Sequence, residues 1–145
     1  MHPDLCNRVD VDSDFGTVLN RFCSQVACGH PITLYGTGEQ TRAFININDS
    51  IKCLTLALEY GSKKDFTKVE ILNQMTACHK LNDLKDLLLE LYPEATCEYI
   101  DNPRAEKAAN SLKVKNDNFK RIGHSTAIDI NEEDIRKLVE VCKAN

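Results

Sequence analysis

The chain has no tryptophan, two methionines, four prolines and six glycines in 145 residues. None of its apolar runs approaches the ~18 residues that a membrane-spanning helix needs. Glycine and proline are too sparse for a collagen-like or low-complexity chain. There is no basic excess either: 18 Lys and Arg face 22 Asp and Glu, for a net charge of −4. A surface that neutralises many phosphates carries such an excess, so nucleic acid is not an expected partner. The one basic cluster, Lys107, Lys113, Lys115, Lys120 and Arg121, reads as a solvated helix face. The seven cysteines are odd in number, scattered and preceded by no signal peptide, which argues against a disulfide framework and for a reducing compartment, the cytoplasm. Cys23 and Cys28, the nearest pair, lack the spacing of a zinc knuckle and have no matching second pair, so no metal is expected and most thiols read as small core residues.

What is present is ordinary for one globular domain: 42% hydrophobic and 28% charged residues, enough to bury roughly 68% of the surface that the unfolded chain exposes. Residues 1–14 are polar and unperiodic, a loop. Phe15, Val18, Leu19, Phe22 and Val26 form a helical stripe that ends at Gly29 and Pro31, and this periodicity puts Arg21 on the polar side. "ITLYG" and "AFINI" read as short strands. Asp49 is placed to cap a helix with Ile51, Leu54 and Leu58 on one side and Gly61 at its end. "KVEIL" is a predicted strand. Leu81, Leu84, Leu87, Leu88 and Leu91 mark a helix stopped by Pro93, and "TCEYI" a further strand. "NDNFKRIG" predicts a short helix between Asn116 and Gly123. A last helix starts near Asn131 with three acids in its first turn and packs through Ile135, Leu138, Val139 and Cys142. The class is α/β.

Catalytic signatures are scarce. Gly36-Thr37-Gly38 lacks the third glycine of a dinucleotide fingerprint and is followed by polar residues and a strand, so it predicts a turn between strands. Tyr60 and Lys64 have the Tyr-x-x-x-Lys spacing of reductases, but Gly61 should end the helix between them and keep the two side chains apart. What remains is anion recognition. A guanidinium matches phosphate geometry and stays charged, and Arg42 in "EQTRAF" and Arg104 in "NPRAE" sit where a strand or loop could fix one.

"FGTVLNRFCSQVACGHPITLYGTGEQTRAFININDSIKCLTLAL", "ILNQMT" and "NPRAE" together resemble the C-terminal half of an extended short-chain dehydrogenase/reductase acting on a nucleotide sugar. The likeness is to the UDP-sulfoquinovose synthase type within the NAD-dependent epimerase/dehydratase family, and it runs from about His2 to Gly123, with residues 124–145 as a C-terminal helix. It implies the substrate-binding part of that fold without most of its Rossmann sheet. It also implies that Asn20 and Arg21 face the nucleotide sugar, that Thr33, Leu34 and Tyr35 hold the uracil, and that Gln40, Thr41 and Arg42 approach the ribose and diphosphate. Arg104 would clamp the diphosphate, with Glu106 nearby. NAD is implied as the family's cofactor, but the fingerprint and the catalytic threonine, tyrosine and lysine of the family are not in this chain, so no catalytic residue is expected. Such a chain would supply the handle for UDP-glucose in a synthase using sulfite and be inactive by itself, with a UDP-sugar and a separately encoded Rossmann half, or a second copy, as partners. A non-catalytic remnant or interaction module, or part of another nucleotide-sugar epimerase or dehydratase, are the rival readings.

Overall fold

The computed structural model describes residues 17–65, 67–102, 112, 114–125 and 128–144. Along the chain run α1 (Val18–Ala27), β1 (Ile32–Tyr35), β2 (Thr41–Phe44), α2 (Ile47–Gly61), β3 (Ala77–Lys80), α3 (Leu81–Leu91), β4 (Cys97–Ile100), α4 (Asp117–Arg121) and α5 (Glu132–Lys143). They belong to two compact units. The first comprises residues 1–40, 80–110 and 131–145, and the second residues 41–79 and 111–130. The predicted loop over 1–14 lies outside the described residues.

In the first unit, α1 packs against α3, α5 and β1. Residues 21–26 of α1 are all buried, so the helix is covered on every side rather than along one stripe. The left-handed backbone of Gly29 ends it, where the His30 N–H donates to the Gln25 carbonyl at 2.8 Å. β1 and β4 form a parallel pair with Ile32 opposite Cys97. The core is shared by α1, β1, α3 and α5: Phe22, Cys23, Ile32, Leu34, Leu84, Leu88, Ile135 and Val139 are buried. Burial, with Cys142 nearby, pushes the Cys23 thiol up to about 12, so this cysteine is a core residue as expected. Among the described cysteines only Cys23 and Cys53 are fully buried, whereas Cys28 and Cys78 are exposed.

The second unit holds the two-stranded β2–β3 sheet, α2 and α4. Three expectations are corrected here. The second strand is Thr41–Phe44, not "AFINI", because Asn46 caps α2: its side chain accepts from the Asn48 N–H at 3.0 Å and draws Ile47 into the helix. Asp49 is therefore not the cap but lies inside the first turn, fully buried, accepting the Ile128 N–H at 2.9 Å. "KVEIL" is not a strand, since no ladder includes residues 67–75 among the described residues. Conversely, β3 was not legible: "ACHK" is short and mixed in character, and it is a strand because it lies beside β2. The centre of this unit is small and polar, with Asp49, Asn116 and His124 buried beside Cys53, Met75 and Phe119.

Candidate functional site

In a parallel ladder, alternate residues aim their backbone groups at the neighbouring strand. Ile32 N–H donates to Thr96 and Gly36 N–H to Ile100, at 2.8 and 2.9 Å, so Thr33 and Tyr35 turn their backbone groups to the edge of β1 away from β4. That edge is lined by side chains. Arg21 donates to the Thr33 carbonyl at 2.9 Å, and the Thr33 N–H donates to Gln25 Oε1 at 3.1 Å. Gln25 Nε2 also donates to the Thr33 hydroxyl at 2.8 Å, and Gln40 Nε2 to the Tyr35 carbonyl at 2.8 Å.

Arg21 is buried, contrary to its place on the polar side of the helical stripe. Its guanidinium lies 4.5 Å from the Tyr35 ring centroid and 5.7 Å from that of Phe22, which lets a buried cation spread its charge over aromatic faces. Two buried polar atoms on this edge, Arg21 Nε and Gln40 Oε1, have no hydrogen-bond partner among the described residues. Such groups are costly unless water or a ligand satisfies them. The structure thus brings Arg21, Thr33, Tyr35 and Gln40 together on one strand edge, with Leu34 buried beneath and Asn20 half-buried on α1. Gln25 belongs to the same constellation, and sequence reasoning missed it. Its only signal was that it shares a helix face with Arg21, one turn earlier.

Thr41 and Arg42 belong to the other unit. Arg42 is half-buried, and its Nη1 donates to the carbonyl of Thr41 at 3.1 Å. Arg104 and Glu106 lie outside the described residues.

The glycine turn has left-handed backbone at Gly36 and Gly38. A Cβ on Gly38 would collide with the Asn82 side chain and come within 2.7 Å of Leu34 Cδ2. The turn leads from β1 to β2 and folds onto the start of α3, where the Leu81 and Asn82 N–H groups donate to the carbonyls of Gln40 and Gly38. Asn82 Nδ2 further donates to the Thr37 carbonyl and to Glu39. A dinucleotide pyrophosphate needs free N–H groups at a helix start, and here chain carbonyls take them. The described residues therefore do not fit NAD at this turn.

Tyr60 and Lys64 do meet, against the sequence expectation. The helix runs to Gly61, and the turn after it curls back through Lys63 and Lys64 N–H bonds to Tyr60 and Gly61. Lys64 Nζ then donates to the Tyr60 hydroxyl at 2.6 Å. Tyr60 also binds Glu70, and Arg121 donates to both Tyr60 and Glu70. This is an exposed charge network, and Lys120 and Arg121 of the basic cluster sit at its helix α4. A second, buried pair places Cys53 Sγ 3.4 Å from His124 Nε2. Burial raises the Cys53 thiol, with Asp49 adding to the effect, which keeps it protonated and unreactive. No group of three or more metal-ligating side chains occurs among the described residues, and none of their helices is long and apolar enough to cross a membrane.

With this geometry in place, the likeness to known proteins is specific. The profile of the NAD dependent epimerase/dehydratase family matches residues 8–71. The chain is 36% identical over 127 residues to the chloroplastic UDP-sulfoquinovose synthase of Spinacia oleracea, covering 85% of this chain and 26% of that protein. It is likewise 36% identical over 106 residues to the UDP-sulfoquinovose synthase of Sulfolobus acidocaldarius, covering 70% of this chain and 26% of that protein. Among solved structures, the UDP-glucose 4-epimerase of Thermotoga maritima with UDP-glucose superposes with a TM-score of 0.73 at 23% identity, covering 94% of this chain and 42% of that one. The chain thus spans about a quarter of the curated relatives it matches. Its mixed α/β structure is part of the extended short-chain dehydrogenase/reductase fold, and the chain belongs, over the part it spans, to the NAD dependent epimerase/dehydratase family.

Proposed function

We propose that this chain is the nucleotide-sugar-binding portion of a UDP-sulfoquinovose synthase-like enzyme, inactive by itself and acting in the cytoplasm. The observation that carries the reading is the edge of β1 that faces away from β4. Thr33 and Tyr35 present backbone groups there, held by Arg21, Gln25 and Gln40, in a chain 36% identical to two such synthases. Uracil offers an acceptor–donor–acceptor edge; since Gln25 takes the Thr33 N–H and Arg21 and Gln40 bind the Thr33 and Tyr35 carbonyls, the groups left for it are the second lone pairs of those carbonyls and the unpartnered Arg21 Nε and Gln40 Oε1. The carboxamides of Gln25 and Gln40 have the same mixed donor and acceptor character, and so hold that edge in a geometry suited to an imide. Arg21 and Gln25 position Thr33, and the ligand contacts come from Thr33 and Tyr35, with Asn20 on the sugar side and the buried Leu34 fixing the strand from beneath. Gln40, Thr41 and Arg42 follow in the chain toward the ribose and diphosphate, where Arg42 and Arg104 each supply a charge-assisted hydrogen bond, with Glu106 nearby. The family is NAD dependent, but no described residue of this chain is assigned to NAD, and no catalytic step is assigned to it.

Calorimetry of the whole chain with UDP and with UDP-glucose tests the proposal. Saturable binding of both, weakened by Gln25→Ala, is expected. Absence of heat with either ligand would overturn it.

A further inference from the structure

The glycine turn between β1 and β2 is held mostly from outside. Gly36 and Gly38 take left-handed backbone, at φ of 65° and 72°, and the Glu39 N–H reaches the Thr37 hydroxyl only at 3.5 Å. Glycine also loses more conformational freedom on ordering than any other residue. What fixes the turn comes from α3. Asn82 Nδ2 donates to the Thr37 carbonyl at 3.1 Å and to Glu39 Oε1 at 2.8 Å, and the Asn82 N–H donates to the Gly38 carbonyl at 3.0 Å. Tyr99 of β4 donates its hydroxyl to Asn82 Oδ1 at 3.0 Å, which turns the amide so that its N–H groups face the turn. Lys80 holds the other Glu39 oxygen at 3.0 Å. Gly38 is the seat of the amide, since a Cβ there would lie 2.2 Å from Asn82 Oδ1. The residue that follows the turn is Gln40. Its buried carboxamide donates to the Tyr35 carbonyl at 2.8 Å, and the Leu81 N–H ties its backbone carbonyl to α3 at 3.2 Å.

We propose that Asn82 is a positioning residue for the nucleotide edge of β1: braced by Tyr99 and Glu39, it fixes the glycine turn and thereby sets the Gln40 carboxamide against Tyr35. The inference rests on the nucleotide-sugar reading of that edge. Asn82 acts through Gln40 and makes no ligand contact of its own. An amide is the side chain the place requires: the turn offers a carbonyl and a carboxylate, which take N–H donors, while the Tyr99 hydroxyl takes an acceptor. Aspartate has the same shape but no donor at neutral pH, and it would set a second carboxylate against Glu39 and the Thr37 carbonyl. It would not harm α3, because position 82 lies in the first turn of that helix, where an acid suits the helix dipole.

Two readouts on the whole chain separate this inference from the reading it rests on. Calorimetry follows UDP, and NMR of the free chain follows the exchange of the Gln40 Nε2 protons with water, which needs no ligand. Asn82→Asp should weaken UDP binding about tenfold, as the loss of one or two net hydrogen bonds predicts, and the Gln40 protons should exchange about tenfold faster. Helix content by circular dichroism should hold, which a merely structural role would not allow. Adding Glu39→Gln to Asn82→Asp returns an N–H donor to face the carboxylate and should recover most of both losses. Tyr99→Phe, at a ring 53% exposed, removes only the hydroxyl and replaces Asn82→Asp if helix content falls. Its expected losses are about threefold in each readout. Three results would overturn the proposal: unchanged Gln40 exchange in the variant, faster exchange with unchanged UDP affinity, or no recovery in the double variant. No heat from UDP with the wild-type chain, beside the expected Gln40 response, would overturn the nucleotide reading and uphold Asn82 as the residue that sets Gln40.

Discussion

Helices α1 and α2 follow one another in the chain and treat their apolar residues oppositely. α1 keeps Phe22, Cys23 and Val26 inside a unit closed by α3, α5 and β1, whereas α2 turns two isoleucines and two leucines outward and faces its own unit with Asp49 and Cys53. Hydrophobic periodicity alone cannot separate these cases. It says that a face is apolar, and the cover for that face comes from elsewhere in the fold. The first unit contains the cover for α1, in α3, α5 and β1. The second is organised by polar groups with named partners, in which the loss of one hydrogen bond matters as much as the loss of a methyl group.

The largest expected effects lie in the first unit. Phe22→Ala should cost ~3–5 kcal/mol and Leu88→Ala ~2–5 kcal/mol, because each removes a fully buried side chain from a packed centre. With no tryptophan in the chain, circular dichroism rather than indole fluorescence follows the unfolding. If both variants unfolded at the wild-type denaturant concentration, the contrast between the units would be lost.

Next come the ligand contacts. Arg42→Ala and Arg104→Ala should each weaken UDP binding by ~1.5–3 kcal/mol if their guanidinium groups hold the diphosphate. Arg136→Ala, whose guanidinium lies only loosely over Tyr92 at 6.0 Å, should leave it unchanged. Calorimetry of the three variants decides, and equal losses would remove the reason for singling out the first two.

In the second unit the sensitive residue is a carboxylate. The Ile128 N–H above all, helped by Lys52, holds Asp49 below the ordinary aspartate value of 3.8 despite its burial. A carboxyl depressed by folding contributes stability that is complete above its unfolded value and is lost as pH falls through the folded one. Asp49→Ala should therefore destabilise by ~1–3 kcal/mol at neutral pH, leaving the Ile128 N–H unsatisfied. The difference between wild type and variant should narrow only below about pH 4. A gap that stayed constant on acidification would mean that the charge on Asp49 contributes nothing.

Much of this architecture was legible in the sequence, and the failures share a cause. α1, β1, α3, β4 and α5 were readable because Leu81, Leu84 and Leu88, or Ile135 and Val139, face a core made of one another. The capping of α2 by Asn46 rather than Asp49 was not, because either residue can cap, and only the tertiary bond from Ile128 commits Asp49 to another task. "KVEIL" has the composition of a strand, but a strand needs a neighbour to ladder with. The family resemblance pointed to Thr33, Tyr35 and Gln40 by position, whereas Gln25 is visible only once α1 and β1 are seen side by side.

The smallest predicted effect is the most informative for the comparison, since it uses the same chemistry as the largest. Leu58→Ala removes the same atoms as Leu88→Ala, but Leu58 is 76% exposed and Leu88 fully buried. The atoms lost at position 58 leave water rather than a packed core, and alanine's helix propensity offsets part of the loss, so the cost to the chain alone should stay within about 0.5 kcal/mol. Chemical denaturation followed by circular dichroism measures both variants under one set of conditions. A cost at position 58 approaching that at position 88 would mean that the α2 face is already covered in solution, by the chain itself or by a second copy, and the opposition between the two helices would disappear.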